Sequence, residues 1–238
     1  MKNFNVSTSS LLKDSLSIVK KIYFSMLLFF IPQFVFYFLT PEYDKFFKNF
    51  PSPSIPPELP PSSEIIIMLI VYFCVIPFTA GCSIYYVHQS IVSKVTVPQS
   101  LQASGEKFIK LALITILLIV FLIPAFLLLV IPAIYLSFRW SFIYYAVMIE
   151  NSSVLGAFQL SWNLTKGRWW VIVRASLWCI VLFIPELIIY NFIPADAEML
   201  NSLVSASYSL IVNPIIATYY VFLFFRLNSL YKDNQQQQ

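Results

Sequence analysis

The segment FLIPAFLLLVIPAIYLSFRW runs from Phe121 to Trp140 and carries prolines at 124 and 132. It lies within a longer apolar stretch, residues 111–149, which as one helix would be about 58 Å long. That is nearly twice the roughly 30 Å hydrocarbon thickness of a bilayer. Because a proline removes one helical hydrogen bond and bends its helix, we predict a tight hairpin between Pro124 and Pro132, near a membrane surface.

The amino-acid composition is typical of a polytopic membrane protein. Of the 238 residues, 59% are hydrophobic and only 11% are charged, whereas about 25% of an ordinary globular domain is charged. One helical span takes about 20 apolar residues, so the chain accommodates about six spans and no soluble domain. We predict an all-α fold with spans at about 22–40, 65–87, 108–126, 130–149, 170–193 and 203–225.

Lysine and arginine are concentrated on one side of these predicted spans. Most of them lie in the N-terminal tail, the connections 88–110 and 150–169, and the C-terminal tail. Since cytoplasmic loops carry the basic excess, we predict that both termini are cytoplasmic. The net charge of +4 is small and its cations flank apolar segments, so we do not expect nucleic-acid binding.

The loop 41–64 is rich in proline and is predicted to lie on the external side. Its composition favours extended polyproline II conformation over a packed core. We interpret it as a semi-rigid spacer, and the alternative is a segment that binds a partner.

Residues 153–167 have the periodicity of an amphipathic helix before the fifth span. Gln159, Asn163 and Lys166 share one stripe, and the opposite face carries Val154, Leu155, Phe158 and Trp162. Ser153 is suited to cap the start and Gly167 to end the helix. Such a helix either contacts lipid at the interface or serves as a connector lying on the bundle.

Arg139 is a charge within the predicted fourth span. With a helix start near Val130, Arg139 lies about 13 Å below the membrane surface, where an unpaired arginine costs about 2.5–3.5 kcal/mol. Antiparallel packing of the fourth and fifth spans would bring Glu186 to a similar depth, so we hypothesise an Arg139–Glu186 ion pair. The pair would fix helix register or line a substrate or ion pathway, and the third alternative is no contact.

A second charged cluster is predicted at the cytoplasmic ends of these spans. Glu150 has Lys166, Arg168 and Arg174 nearby in the sequence, and this arrangement would dock the amphipathic helix to the bundle. Alternatively, the three cations hold a phospholipid headgroup. Trp169 and Trp170 beside Arg168 are suited to anchor the helix at headgroup level.

The sequences IPAIYLSFRWSFIYYAVMIE and SSVLGAFQLSWNLTKGRWW resemble the bacterial membrane-domain family named after glycerophosphoryl diester phosphodiesterase, together with its uncharacterised six-helix relatives. The matching residues are Ile131, Pro132, Tyr135, Arg139, Glu150, Ala157, Ser161, Leu164, Lys166 and Gly167, and in the last helix Tyr220 and Arg226. The resemblance implies a bacterial inner-membrane location. Ala133 departs from the glycine usual after the Ile-Pro pair.

The resemblance does not imply hydrolase activity, because the catalytic barrel that gives the family its name is absent. His88, at a predicted helix end, is the single histidine, and the sequence contains no metal-ligand spacing, nucleophile elbow or phosphate-binding loop. We therefore predict no catalysis, no metal and no cofactor. The expected protein is a membrane scaffold, a lipid-interacting factor or a partner of another membrane protein. The alternative is a small transporter that uses Arg139 and Glu186, and the sequence does not indicate the oligomeric state.

Overall fold

The computed structural model describes residues 8–39, 66–67, 69–194 and 197–236, and these are helical apart from short connections. A π-helical turn, Val71–Val75, leads directly into the second helix. The helices are α1 Thr8–Leu39, α2 Ile76–Val92, α3 Val97–Glu106, α4 Phe108–Leu128, α5 Val130–Arg139, α6 Ile143–Glu150, α7 Val154–Thr165, α8 Trp169–Val181, α9 Ile184–Phe192 and α10 Glu198–Gln236. The predicted loop 41–64 lies outside the described residues.

Six helical stretches are long and apolar enough to cross a membrane, as the sequence predicts. They are Ser10–Val35, Val71–Val92, Phe108–Leu127, Val130–Glu150, Trp169–Ile189 and Met199–Gln236. Large apolar side chains cover the outside of the bundle, including Phe24 at 84% and Leu127 at 79% exposure. Soluble monomers rarely expose large contiguous apolar surfaces, so this exterior suits a lipid solvent.

The predicted hairpin is confirmed. A single residue, Leu129, takes an extended conformation between α4 and α5 with φ −161° and ψ 136°. The rings of Phe121 and Trp140, which lie 8 residues before and 11 residues after Leu129, are 5.7 Å apart. The chain therefore reverses at Leu129, between Pro124 and Pro132.

The fourth and fifth spans are broken helices. The fourth is interrupted at residues 140–142, where Trp140 and Phe142 both have ψ near 11°. The fifth is interrupted at residues 182–183, just before Pro185. Pro185 has no N–H to continue the helical ladder, and the Tyr208 hydroxyl donates to the Leu182 carbonyl at this break.

Helices α1 and α10 run antiparallel and pack along most of their length. Asp14 and Arg226, near the opposite chain ends, form an ion pair of 3.7 Å. Both helices are longer than predicted, since they continue to pack against each other beyond their apolar segments. Leu11 and Leu227, on these extensions, are both fully buried.

The core has two parts, with α2 at the centre of the first. That part contains Phe29, Val87 and Val147, from three different helices. The second lies between α7, α8 and α10 and contains Phe142, Ile172 and Phe224. A Cβ atom on Gly81 would lie only 2.7 Å from Leu111 Cδ1, which shows that the packing around α2 is close.

Helix α3 lies in the connection 88–110, between the second and third spans. Its start is a capping box in which the Thr96 side chain bonds the backbone of Gln99 and the Gln99 side chain bonds the backbone of Thr96. The sequence TVPQ carries this signal, with a proline in the first turn.

Candidate functional site

The break in the fourth span forms a polar junction with α7. Ser161 donates to the Arg139 carbonyl at 2.8 Å and accepts from the Phe142 N–H at 3.2 Å. These backbone groups flank the break, and Ser161 is fully buried. One hydroxyl therefore satisfies a donor and an acceptor that lie on the two sides of the interruption.

The Arg139 guanidinium lies at the same junction. Its Nε and Nη2 donate to the Tyr135 hydroxyl at 2.8 and 2.7 Å. Its Nη1 donates to Thr165 Oγ1 at 3.3 Å and to the Trp162 carbonyl at 3.4 Å. The guanidinium carbon lies 5.1 Å from the Tyr135 ring centroid and 4.6 Å from that of Trp162.

These contacts explain how Arg139 is accommodated without a carboxylate. Trp162 and Thr165 belong to the last turn of α7, where a cation is stabilised by about 0.3–1 kcal/mol through the helix dipole. Each cation–π contact contributes about 0.5–1 kcal/mol or more. Together these terms stabilise the half-buried guanidinium against the end of α7.

The structure does not bring Arg139 and Glu186 together. Arg139 contacts residues that precede α8, whereas Glu186 follows Trp169 by roughly 25 Å of helical rise. Glu186 lies near Tyr208 of α10 instead. Because α7 returns alongside α6, the fifth span starts near Arg139, and Glu186 lies further along it.

Glu150 is bound by the last helix. Lys232 Nζ lies 3.0 Å from both carboxylate oxygens of Glu150, and Asn228 Nδ2 donates to one of them. Lys166, Arg168 and Arg174 are not among its partners. Since α7 leads away from Glu150, these three cations lie toward the other end of that helix, and the predicted cluster divides into two.

Lys107 and His88 flank the same end of α6. Lys107 Nζ donates to the carbonyls of Val147 and Met148 at 3.1 Å, near the helix C-terminus, and burial lowers the pKa of Lys107. The His88 ring stacks on Phe225 at 5.0 Å. In the described part of the chain, no group of His, Cys, Asp and Glu residues is arranged to hold a metal ion.

The second half of the divided cluster is a basic surface, formed by Lys166, Arg168 and Arg174, which we call the basic rim. None of the three forms an ion pair with a described residue. Burial lowers the pKa of Arg168, and Arg174 Nε donates to the Trp170 carbonyl at 3.3 Å. Trp169 packs edge-on against Phe138 and Trp170, so the rim adjoins the end of α5.

Helix α7 forms where the sequence predicts it, although its buried side differs from the predicted apolar face. Ser153 caps its start by accepting from the Gly156 N–H, and Gly167 follows its end with φ +72°. The buried residues are Ala157, Ser161, Leu164 and Thr165. Of the predicted apolar face, Leu155 is 77% exposed and Trp162 is 37% exposed, whereas Val154 and Phe158 pack against the core.

Sequence reasoning missed several residues of these sites. Ser161 and Tyr135 enter the sequence analysis only through the family resemblance, and Thr165, Asn228 and Lys232 do not enter it as site residues. For Thr165, the signal was its spacing of four residues from Ser161, which places both hydroxyls on one helix face. Asn228 and Lys232 share the same spacing on α10.

Comparison with protein-family models, with curated proteins and with solved structures finds no match to this chain. The family resemblance therefore stays a prediction.

Proposed function

We propose that this chain is a non-catalytic integral membrane protein that binds anionic phospholipid headgroups through the basic rim. The six apolar helices support membrane insertion. We place it in the bacterial inner membrane with both termini in the cytoplasm, as its basic flanks favour. In this role it acts as a membrane scaffold or lipid-interacting factor without a cofactor.

The position of Arg174 carries the proposal. It is exposed on α8 together with Trp170, Leu177 and Trp178, whose exposed fractions are 69%, 53% and 47%. These positions are separated by about one and two helical turns, so they form one outward stripe. A cation on an apolar, lipid-facing stripe is stabilised when its long side chain reaches the headgroup layer.

The neighbouring cations strengthen the attraction. Arg168 lies just before α8, and Lys166 is exposed at the end of α7. Each basic residue near an anionic membrane surface contributes about 1 kcal/mol. Three such residues would favour an anionic over a zwitterionic lipid by roughly 3 kcal/mol, or about a hundredfold.

Transport through Arg139 and Glu186 is the less favoured alternative. Four of the five guanidinium N–H groups of Arg139 have protein acceptors. A substrate would have to displace these contacts, and Glu186 lies elsewhere along the fifth span. A role as the partner of another membrane protein is compatible with lipid binding at the basic rim.

Native mass spectrometry of the purified protein with defined lipids tests the proposal. We expect the wild type to retain phosphatidylglycerol in preference to phosphatidylcholine. The triple variant K166Q/R168Q/R174Q should lose at least tenfold of this preference, because the anionic headgroup loses three cationic partners.

The matched control is K13Q/K20Q/K21Q, which removes the same charge from exposed positions on α1. This control should keep the wild-type preference. Equal losses in both triple variants would mean that net charge alone attracts the lipid, and no loss in the first variant would remove the basic rim from lipid binding. Either result would contradict the proposal.

A further inference from the structure

A polar cleft lies between α2 and α3, separate from the basic rim. Its volume is about 310 Å³. Tyr85 and Gln89 line it from one turn to the next on α2, and Gln99, Gln102 and Glu106 line it from α3. Spacings of three and four residues place each set on one helix face. Partly or fully exposed polar side chains of both helices therefore line the cleft.

The hydrogen bonds within the cleft show which donor and acceptor atoms are left to bind a ligand. Gln99 Oε1 accepts from the Thr96 N–H at 2.9 Å, which leaves the Gln99 amide N–H groups as donors. Gln102 Nε2 donates to Glu106 Oε1 at 3.1 Å, which leaves Gln102 Oε1 and Glu106 Oε2 as acceptors. Gln89 Oε1 accepts from Ser93 at 3.4 Å, so the Gln89 amide also keeps N–H donors.

The remaining hydrogen-bond donors and acceptors lie at different ends of the cleft. Lys94, which also lines it, lies with Gln99 at the end where α2 connects to α3. Glu106 and Gln102 lie toward the far end of α3, with Tyr85 across from them on α2. Gln99 and Glu106 are about 10 Å apart along the helix axis. One end of the cleft is therefore cationic and donor-rich, and the other is anionic and acceptor-rich.

We propose that this cleft binds a small zwitterion that carries a primary ammonium and a phosphate or carboxylate a few bonds apart. The ammonium donates its three N–H bonds to Glu106 Oε2, Gln102 Oε1 and the Tyr85 hydroxyl. The anionic group accepts from Lys94 Nζ and from the amide groups of Gln99 and Gln89. A volume at the small end of the range for ligand pockets suits a ligand of this size.

A primary ammonium fits better than a quaternary one. A quaternary ammonium has no N–H to donate and is recognised by several aromatic rings, whereas Tyr85 supplies one ring and the other groups at its end of the cleft, Gln102 Oε1 and Glu106 Oε2, are acceptors. Phosphoethanolamine has the required chemistry, both as a free molecule and as the headgroup of a phospholipid.

Calorimetric titration of the full chain in phosphatidylcholine nanodiscs tests the site with two probes, O-phosphoethanolamine and phosphocholine. We expect O-phosphoethanolamine to bind at least tenfold more tightly. E106Q and K94Q should each weaken its binding about tenfold or more, since each removes a charge-assisted hydrogen bond. D233N and K13Q, which neutralise a carboxylate and a lysine outside the cleft, should leave binding and the unfolding temperature unchanged.

A second set of nanodiscs, with one fifth phosphatidylethanolamine, identifies the source of the ligand. Competition by this lipid with the soluble probe assigns the site to a headgroup, and undiminished titration assigns it to a free metabolite. Both outcomes support a zwitterion site. Equal affinity for the two probes, undetectable binding at millimolar concentration, or unchanged binding in E106Q would overturn it. K166Q/R168Q/R174Q should bind O-phosphoethanolamine normally, so this proposal and the basic-rim proposal fail independently.

Discussion

At the scale of single residues, Ser161 and Arg139 stabilise the same interruption in two different ways. The Ser161 hydroxyl bonds backbone groups on both sides of the break, and the Arg139 side chain joins α5 to the last turn of α7. The sequence located Arg139 in an apolar helix and correctly required a partner for it. It did not identify that partner, because the compensating groups are a phenol, two rings and a helix end rather than an opposite charge.

Replacement of Ser161 by alanine should destabilise the protein by about 1–3 kcal/mol, because it leaves the buried Phe142 N–H without its partner and the Arg139 carbonyl with only the 3.4 Å bond from Thr165. Thermal or denaturant unfolding of the purified protein measures the effect. Ser137→Ala is the control, since the Ser137 hydroxyl bonds only the Ala133 carbonyl of its own helix and should lose well under 1 kcal/mol. Equal stability of the two variants would show that the break does not depend on Ser161.

At the scale of helices, the sequence predicted the features that have local signals. The turn at Leu129 follows from the length of the apolar stretch and its prolines, and α7 has both a capping serine and a terminating glycine. The break at residues 140–142 was missed, whereas the break at 182–183 lies beside Pro185, a residue that favours a kink. The first is specified by the hydroxyl of Ser161, which is distant in sequence, and the second combines Pro185 with Tyr208 of another helix. Such contacts between residues distant in sequence leave no periodic pattern in the sequence from which they could be predicted.

The two glycines Gly167 and Gly105 should respond in opposite ways to alanine. Gly167 has φ +72°, a conformation that costs a residue with a Cβ about 1–2 kcal/mol, so Gly167→Ala should lower the free energy of unfolding by about that amount. Gly105 lies near the end of α3 and has open space around its Cβ position, so Gly105→Ala should raise it by up to about 0.5 kcal/mol. Denaturant midpoints measure both effects, and a loss at Gly105 equal to that at Gly167 would contradict the assignment.

At the scale of the whole molecule, α1 and α10 form an antiparallel pair that brings the two described chain ends to one end of the bundle. From the distribution of lysine and arginine, the sequence predicted that both termini lie on the same side of the membrane, which requires an even number of spans. It did not predict that these helices pack together well beyond their apolar segments. Some residues of these extensions are polar and yet buried, such as Ser15, which is fully buried. The apolar pattern of the sequence therefore does not indicate that they pack.

Topology reporters test this arrangement in cells. A fluorescent protein that matures only in the cytoplasm should be bright at either terminus, and a phosphatase active only outside should be inactive at both. As a control, the same phosphatase inserted in the loop 41–64 should be active. Reporters that place the two termini in different compartments would show that the number of crossings is odd.

The pairing of α1 with α10 also constrains biogenesis. A ribosome completes α1 long before it reaches α10, and domains ordinarily fold as synthesis proceeds from the N-terminus. During that interval the side chains that α1 later buries, such as Leu11, have no permanent neighbour. If the chain is inserted in a membrane, as we propose, we expect lipid or an insertion factor to hold the nascent chain until translation of the final helix lets the bundle close.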